Sequence, residues 1–515
     1  MGEHTTTVDC LLGIDVGTTG AKALLCRADD GAVLAAGFAP YPLHHPQPSW
    51  AEQDPADWWQ ACGTATRACL AEAAASGVAP QSVRGVALSG QMHGAVLLDD
   101  AGEVVRPCII WADQRSGAEC DEIHRRVGLE RLVELTGNPA LTGFTAAKVL
   151  WVRNHEPEAF ARARRLLLPK DYIRLRMTGE PAIERSDAAG TNLLDIHTGD
   201  WAPEVLDALD LPVSLLPLVV GSTDVCGTLA ADAARHLGLP SGTPVAGGGA
   251  DNACGATGAG VVAPGPALLS IGSSGVVLAA SPTPQIDRST PLPRIHTFFH
   301  AMPNTWYLMG VTQAAGLSLR WARDTFGGAE SGDYDTLTAE AARVPPGAEG
   351  LLFLPYLQGE RAPHLDPLAR GAWIGLTAAH RRGHLVRAVL EGVAFSLKDC
   401  FALLSEQGLP LTEIRVTGGG ARSPLWRQIC ADILERPVVT LAADEGPAFG
   451  AALMAGTAVG LYPSLPAACA RTVQLGGAVT PDSSLAPAYR AHYALYCAAY
   501  PALREIMHGL SRTVV

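Results

Sequence analysis

The residues with chemistry to offer cluster in glycine-rich turns. Asp15-Val16-Gly17-Thr18-Thr19-Gly20 can aim successive backbone N–H groups and two hydroxyls at an anion, because glycine lets the main chain come close. A carboxylate at position 15, ending an apolar run, suits Mg2+ held through water, since that ion keeps most of its hydration shell. The run Ser270 to Gly275 repeats the layout, with Ser273 and Ser274 supplying hydroxyls. Gly418-Gly419-Gly420 precedes Ser423, which can cap a helix opened by Pro424; such a turn exposes unpaired N–H groups to phosphate or a flat nucleotide face. One such turn is an ordinary hairpin. The repeated loop points to a polyphosphate clamped between two halves.

A second group suits proton transfer and hydroxyl recognition. Asp251 follows Gly247-Gly248-Gly249 and opens a run of small residues, so its carboxylate can reach a hydroxyl on a seam between domains. An Asp there is also a good helix N-cap, and N-caps greatly outnumber catalytic bases. A helix start favours the ionised form, which predicts a lowered pKa and a weak base. Asn252 beside it offers a donor and an acceptor. Met92 and His93, in SGQMHG (89–94), suit packing on sugar carbons and bonding to sugar hydroxyls, or equally core packing and a turn. Trp111 could floor a sugar pocket or fill a core. Arg115 and Arg361 read as structural ion-pair partners and are left outside the site.

These residues need elements to hold them. Residues 11–25 and 268–280 each read as two strands joined by a tight turn, about half a chain apart, as if one fold stood twice in tandem. Asp54 caps a helix with Pro55 in its first turn and Gly77 after its end. Val83 to Leu88 is a buried strand feeding the Met92–His93 loop, and Val389 to Leu397 a buried helix. Ile414 to Thr417 is a strand leading into the triple glycine. Gly446 to Ala452 reads as a helix start whose small residues allow close packing. Strands alternating with helices predict parallel α/β sheets, one per domain.

Length and charge narrow the classes. At 515 residues, two domains are expected, and 48% hydrophobic with 17% charged residues is globular. A net charge of -13 argues against nucleic acid or an anionic membrane as partner. The 12 cysteines show no CxxC spacing, which suits reduced thiols in the cytoplasm better than disulfides or zinc. The first ten residues lack a signal-peptide pattern, and their fit to a loose myristoylation pattern at Gly2 and Thr6 is spoiled by Glu3. Neither GxxxxGK[ST] nor a strand–GxGxxG–helix unit is present.

The order of motifs resembles the superfamily of sugar kinases, heat-shock proteins and actin, and within it the FGGY carbohydrate kinases, most closely those acting on D-xylulose. The resemblance is carried by GIDVGTTGAK (13–22), WAEQDPADWW (50–59), LSGQMHGAVLLD (88–99), IIWADQRS (109–116), LLPKDYIRLRMTG (167–179), SDAAGTNLLD (186–195), GGGADNACGA (247–256), FLPYLQGERAPH (353–364) and VTGGGARSPLWRQICADI (416–433). It implies two ribonuclease-H-like domains, residues 1–256 for sugar and base and residues 257–515 for nucleotide, with the active site in the cleft between them. It implies Asp251 as catalytic base, Met92 and His93 on the ketose, and ATP with Mg2+ in the cleft.

The expected arrangement follows. Thr18, Thr19, Ser273 and Ser274 hold phosphates, Gly418, Gly419, Gly420 and Ser423 the adenosine, Asp15 the metal ion, and Met92, His93, Trp111 and Asn252 the sugar. The partners are a small ketose and Mg-ATP, with room for a homodimer and no nucleic acid or membrane. Ala112 stands where the family often has Asn, which removes one amide near the sugar. The rivals are another sugar or polyol (ribulose, gluconate, glycerol) and a chaperone- or filament-like ATPase. An acidic sugar would want Arg or Lys beside His93, and SGQMHG offers none.

Overall fold

Cys10–Val16 (β1) and Gly20–Arg27 (β2) form an antiparallel hairpin around the Gly17–Thr19 turn. Val33–Pro40 (β3) pairs antiparallel with β2, and Val83–Gly90 (β4) runs parallel to β1. Val225–Thr228 (β5) and Pro244–Ala246 (β6) complete the sheet in the order β5-β6-β4-β1-β2-β3, with Gly249–Ala250 pairing onto the end of β4. The computed structural model describes residues 8–289, 291–326, 333–442 and 445–513. Residues 1–7, which carry Gly2, Glu3 and Thr6, lie outside the described residues.

The second half repeats the plan. Gly265–Ile271 (β7) and Gly275–Ser281 (β8) form the second hairpin. His296–Phe299 (β9), Trp306–Thr312 (β10), Leu411–Thr417 (β11), Val438–Leu441 (β12) and Leu475–Val479 (β13) give the order β9-β10-β8-β7-β11-β12-β13. From β10 to β13 the directions match β3 to β5: two antiparallel pairs, two parallel, one antiparallel. Both sheets are therefore mixed rather than parallel. A turn of three residues can only return the chain antiparallel, whereas parallel neighbours need a crossover.

The local signals place the helices. Pro55–Ala75 (α1) is capped by Asp54, whose carboxylate accepts from the Ala56 N–H. Asp251–Gly258 (α2) follows the Gly249–Ala250 bridge, with Ala250 at its N-cap, so Asp251 is the first helical residue and not the cap. Arg382–Glu406 (α3) spans the apolar run 389–397 and is the buried spine of the second half. Pro424–Leu434 (α4) is capped by Ser423, which accepts from Trp426 N–H at 3.3 Å.

One helix crosses back. Pro447–Ala458 (α5) lies between α2 and the first sheet, against β1 and β4. The approach is close enough that a Cβ on Gly13 would stand 1.8 Å from Ala448 O, and one on Gly450 1.9 Å from Cys254 O. The small residues of this run thus join the chain's C-terminal half to its first sheet. No described helix is long and apolar enough to cross a membrane.

Candidate active site

Both carboxylates stand at the carboxyl ends of central strands of the first sheet. Asp15 is opposite Ser89 on β4, and Asp251 directly follows Ala250, which is opposite Gly90 on the other side of the same strand. Asp15 Oδ1 and Ser89 Oγ are buried and without a hydrogen-bond partner among the described residues. Burial raises the Asp15 pKa, with Ser89 and Lys22 opposing. A buried carboxylate oxygen without a partner among the described residues fits a hydrated Mg2+ as the group that would satisfy it.

Asp251 is held by its neighbour. Its Oδ1 accepts from Asn252 N–H at 2.7 Å and from Asn252 Nδ2 at 2.9 Å, leaving Oδ2 without a protein partner among the described residues. Its pKa is pushed up to about 7, first by burial and then by the charge of Asp15, against the two bonds from Asn252. This reverses the expectation from the helix start. One turn of helix dipole is a smaller influence than desolvation plus a second carboxylate one strand away.

The sugar-loop residues converge on the same place. Asn252 Nδ2 lies 3.7 Å from Met92 Sδ, and Tyr307 Oη 3.8 Å from the same sulfur. His93 has φ +70°, an unfavourable conformation for a non-glycine residue. Its carbonyl is fixed by Lys148 Nζ at 2.9 Å and Thr145 Oγ1 at 3.1 Å, and its ring stacks on Phe144 with centroids 4.3 Å apart. His93 Nδ1 lies 2.7 Å from Gly190 O. Its pKa falls to about 3, through burial and then Lys148, with Arg361 also lowering it and the Gly190 bond opposing. The ring is therefore neutral, Nδ1 donates to Gly190, and Nε2 is an acceptor.

A buried network supports this turn, and the sequence reading passed over it. Ser186 Oγ accepts from Ala250 N–H at 3.0 Å and donates to Glu184 at 2.7 Å. Arg174 Nη1 holds Gly247 O at 2.9 Å, and Lys170 and Arg174 both bind Asp171. The segment 184–190 thus steadies the Asp251 turn at one end and the His93 ring at the other. SDAAG was visible as a motif, but nothing local marks it as a buttress.

Two cavities meet at the triple glycine. One of about 390 Å³ includes Asp251, Asn252, Lys22, Ser270 and Gly418. The other, of about 470 Å³, includes Gly272, Ser273, Gly419, Gly420 and Ser423, with Arg320, Tyr334 and Thr338 on its far wall. Tyr334 and Arg320 were missed because no turn or motif singles them out. Thr18, Thr19 and Ser274 line neither cavity: Thr18 Oγ1 accepts from Trp111 Nε1 at 2.9 Å, Thr19 is exposed, and Ser274 is half-buried. Trp111 is 44% exposed, which makes it a rim residue of the Thr18 loop. Lys22 Nζ pairs with Glu445 at 2.7 Å, joining the first phosphate loop's strand to the second half.

The two arginines differ. Arg115 is structural as expected, bonding Asp113 and Glu52 and lying 3.6 Å over the Trp50 ring. Arg361 has no ion-pair or hydrogen-bond partner for its guanidinium among the described residues, so its reading as an ion-pair partner is corrected. The adjacent Glu360 uses both oxygens on Thr312 Oγ1, Ser396 Oγ and the N–H groups of Gln313 and Arg361.

Comparison with known proteins agrees with this geometry. The chain is 39% identical to the xylulose kinase of Bacillus subtilis over 501 residues, 97% of this chain and 98% of that one. It is 42% identical to the xylulose kinase of Escherichia coli over 463 residues, 88% and 93% of the two. The crystal structure of a "xyloylose kinase" from Brucella ovis superposes with a TM-score of 0.89 at 38% identity, over 96% of this chain and all of that one. The fold is the paired α/β arrangement of the actin and heat-shock ATPase superfamily. Residues 10–258 match the model of the N-terminal domain of the FGGY family of carbohydrate kinases and residues 267–459 that of its C-terminal domain, so the chain belongs to that family.

Proposed function

We propose that this sugar kinase transfers the γ-phosphoryl group of ATP to the terminal hydroxyl of D-xylulose, giving D-xylulose 5-phosphate and ADP. The observation that carries the reading is Asp251, a carboxylate with one free oxygen and a pKa near 7, opening on the cavity that Gly418 and Ser270 share. A base poised near the working pH can accept the hydroxyl proton as the new O–P bond forms and the bond to ADP breaks.

In this reading adenosine fills the larger cavity and the phosphates run past Gly418 toward Asp251. Met92 packs on the sugar carbons, neutral His93 accepts from a hydroxyl, and Asn252 orients the base. Asp15 holds Mg2+ through water, where the ion offsets phosphate charge when bound. Positioning and fixed donors supply most of the rate, because a loose phosphoryl-transfer transition state asks little covalent help of the protein. Closure of the halves excludes water, which otherwise competes as acceptor.

We place the residue 1–256 half at the sugar and the residue 257–515 half at the nucleotide, with the reaction in the cytoplasm. Twelve unpaired cysteines, ten of them buried, support a reducing compartment. Coupled ADP release with a panel of ketoses, polyols and aldonates tests the substrate. D-xylulose should give the highest kcat/KM, and a polyol or aldonate ahead of it would overturn the assignment.

A further inference from the structure

A guanidinium with no hydrogen-bond or ion-pair contact among the described residues needs a reason. Arg361 is set deep among protein atoms yet remains half-buried by accessible surface, as expected of a side chain lining a cleft. Burial lowers its pKa, with the charge of the adjacent Glu360 opposing, and no direct ion pair offsets the desolvation. Its backbone is firmly anchored. Glu360 is clamped to the end of β10 through Thr312, and Ala362 N–H bonds Val311 O at 3.0 Å. Two residues before Val311 on β10, Met309 is opposite His296, which lies on β9 with Phe298. Phe298 approaches both His93 and Phe144, with centroids 6.1 and 6.0 Å apart. The strand pair to which the Arg361 segment is anchored thus brings Phe298 against the sugar loop's His93. Anchored at the end of β10, Arg361 stands one strand from the His296 and Phe298 rings, and its charge contributes to lowering the pKa of both His93 and His296.

The chemistry of the acceptor sugar supplies a partner. A ketopentose closes its furanose ring through O5, so a kinase acting on O5 must take the open-chain form. That form carries a free C2 carbonyl, which can only accept hydrogen bonds. His93, neutral with its Nε2 unprotonated, offers an acceptor and cannot serve it. A guanidinium is donor-only and can.

We infer that Arg361 is the specificity residue for the ketose, donating from the second half of the chain to the C2 carbonyl at the end of the sugar remote from Asp251. It rests on the proposed reaction and deepens it. The acid-sugar argument made on SGQMHG changes accordingly, because the cation missing from the loop arrives from the other half of the chain. Since the donor belongs to the nucleotide side, a ketose that engages it draws the two halves together, and a polyol engages it less well.

The test compares D-xylulose with its two C2-reduced pentitols, xylitol and D-arabinitol, in Arg361→Met and Arg361→Lys. Wild-type enzyme should favour D-xylulose by about 10²-fold or more in kcat/KM, since a donor built for one acceptor discriminates strongly. Arg361→Met should remove most of that preference through KM for D-xylulose, leave pentitol turnover and ADP binding within about threefold, and melt no lower than wild type, because an unpaired buried charge is gone. Arg361→Lys should recover part of the preference. An unchanged ketose-to-pentitol ratio, equal losses for all acceptors, or a sharply lower melting temperature in Arg361→Met would overturn the assignment and return Arg361 to a structural role. Wild-type enzyme that prefers a pentitol would instead sink the xylulose reading, before any variant is made. Preference for an aldonate, lost in Arg361→Met, would give the guanidinium a carboxylate partner and overturn the ketose assignment.

Discussion

Asp15 and Asp251 flank the end of β4, Asp15 opposite Ser89 and Asp251 next to the residue opposite Gly90, and the charge of Asp15 helps raise the Asp251 pKa. Two carboxylates at one strand end thus take different parts. One has a buried oxygen suited to a metal ion's water shell, and the other, with its pKa pushed up to about 7, is the proposed base. The second property depends on the first, because a cation at Asp15 would weaken the repulsion that lifts Asp251.

Removing the base should separate chemistry from binding. Asp251→Asn should lower kcat by about 10²- to 10⁴-fold, while ADP affinity, which we propose is set in the cavity lined by Gly419 and Gly420, stays within threefold. Coupled ADP release and nucleotide titration check both. Retained turnover would remove Asp251 from the mechanism.

The raised pKa has a sign in both rate and stability. With its pKa raised to about 7 when no cation stands at Asp15, Asp251 binds a proton on the acid side, so kcat/KM for sugar should fall about tenfold per pH unit there. The fall should begin at a lower pH once Mg2+ stands at Asp15. Between the unfolded value near 4 and the folded value near 7, the native chain binds the extra proton, so this group's stability contribution is lost as pH rises through that window. Asp251→Asn should therefore melt higher than wild type at pH 8, by an amount worth on the order of 2–4 kcal/mol at most, and little differently at pH 4. Calorimetry at the two pH values decides it; a lower melting point at pH 8 would contradict the pKa.

Gly190 gives a test of His93 without touching it. A Cβ at position 190 would stand 2.7 Å from His93 Nδ1. Gly190→Ala should push the ring aside and raise KM for sugar roughly tenfold, equivalent to about 1.4 kcal/mol, with nucleotide affinity unchanged. Equal KM values would show that the ring does not meet the sugar.

Ser186→Ala leaves the Ala250 N–H and one Glu184 oxygen without this hydroxyl in a buried site. The expected stability loss is about 1–3 kcal/mol, with a kcat loss of about tenfold from a misplaced Asp251 turn. A variant that loses stability but keeps full kcat would mean the network supports the fold alone.

Close packing of α5 on the first sheet is the most stringent structural test. Gly13→Ala places a methyl group against Ala448 O, a backbone atom that cannot swing away, and should destabilise by about 3 kcal/mol or more. A melting temperature within two degrees of wild type would place α5 elsewhere.

Much of this was legible locally. The β1–β2 and β7–β8 hairpins, the Asp54 and Ser423 caps and the triple-glycine turn are properties of a few adjacent residues, and each stands where its signal put it. The convergence of Met92, Asn252 and Asp251 was expected from motif order alone. Local reading failed where partners are remote. The helix-start argument lowered the Asp251 pKa because it saw one turn of helix, and Arg361 was given an ion pair because an isolated arginine usually has one.

From the amino acids alone came the duplicated plan, the family and the glycine-rich turns, since turns, caps and periodicities are written in neighbouring residues; Asp251 as base came from the resemblance and stands as a proposal. Only the tertiary structure decided how those groups behave. Burial, the mutual repulsion of Asp15 and Asp251, the return of α5 to the first sheet and the unpaired guanidinium of Arg361 are sums over segments far apart in the chain, and proximity of that kind exists only once the chain has folded.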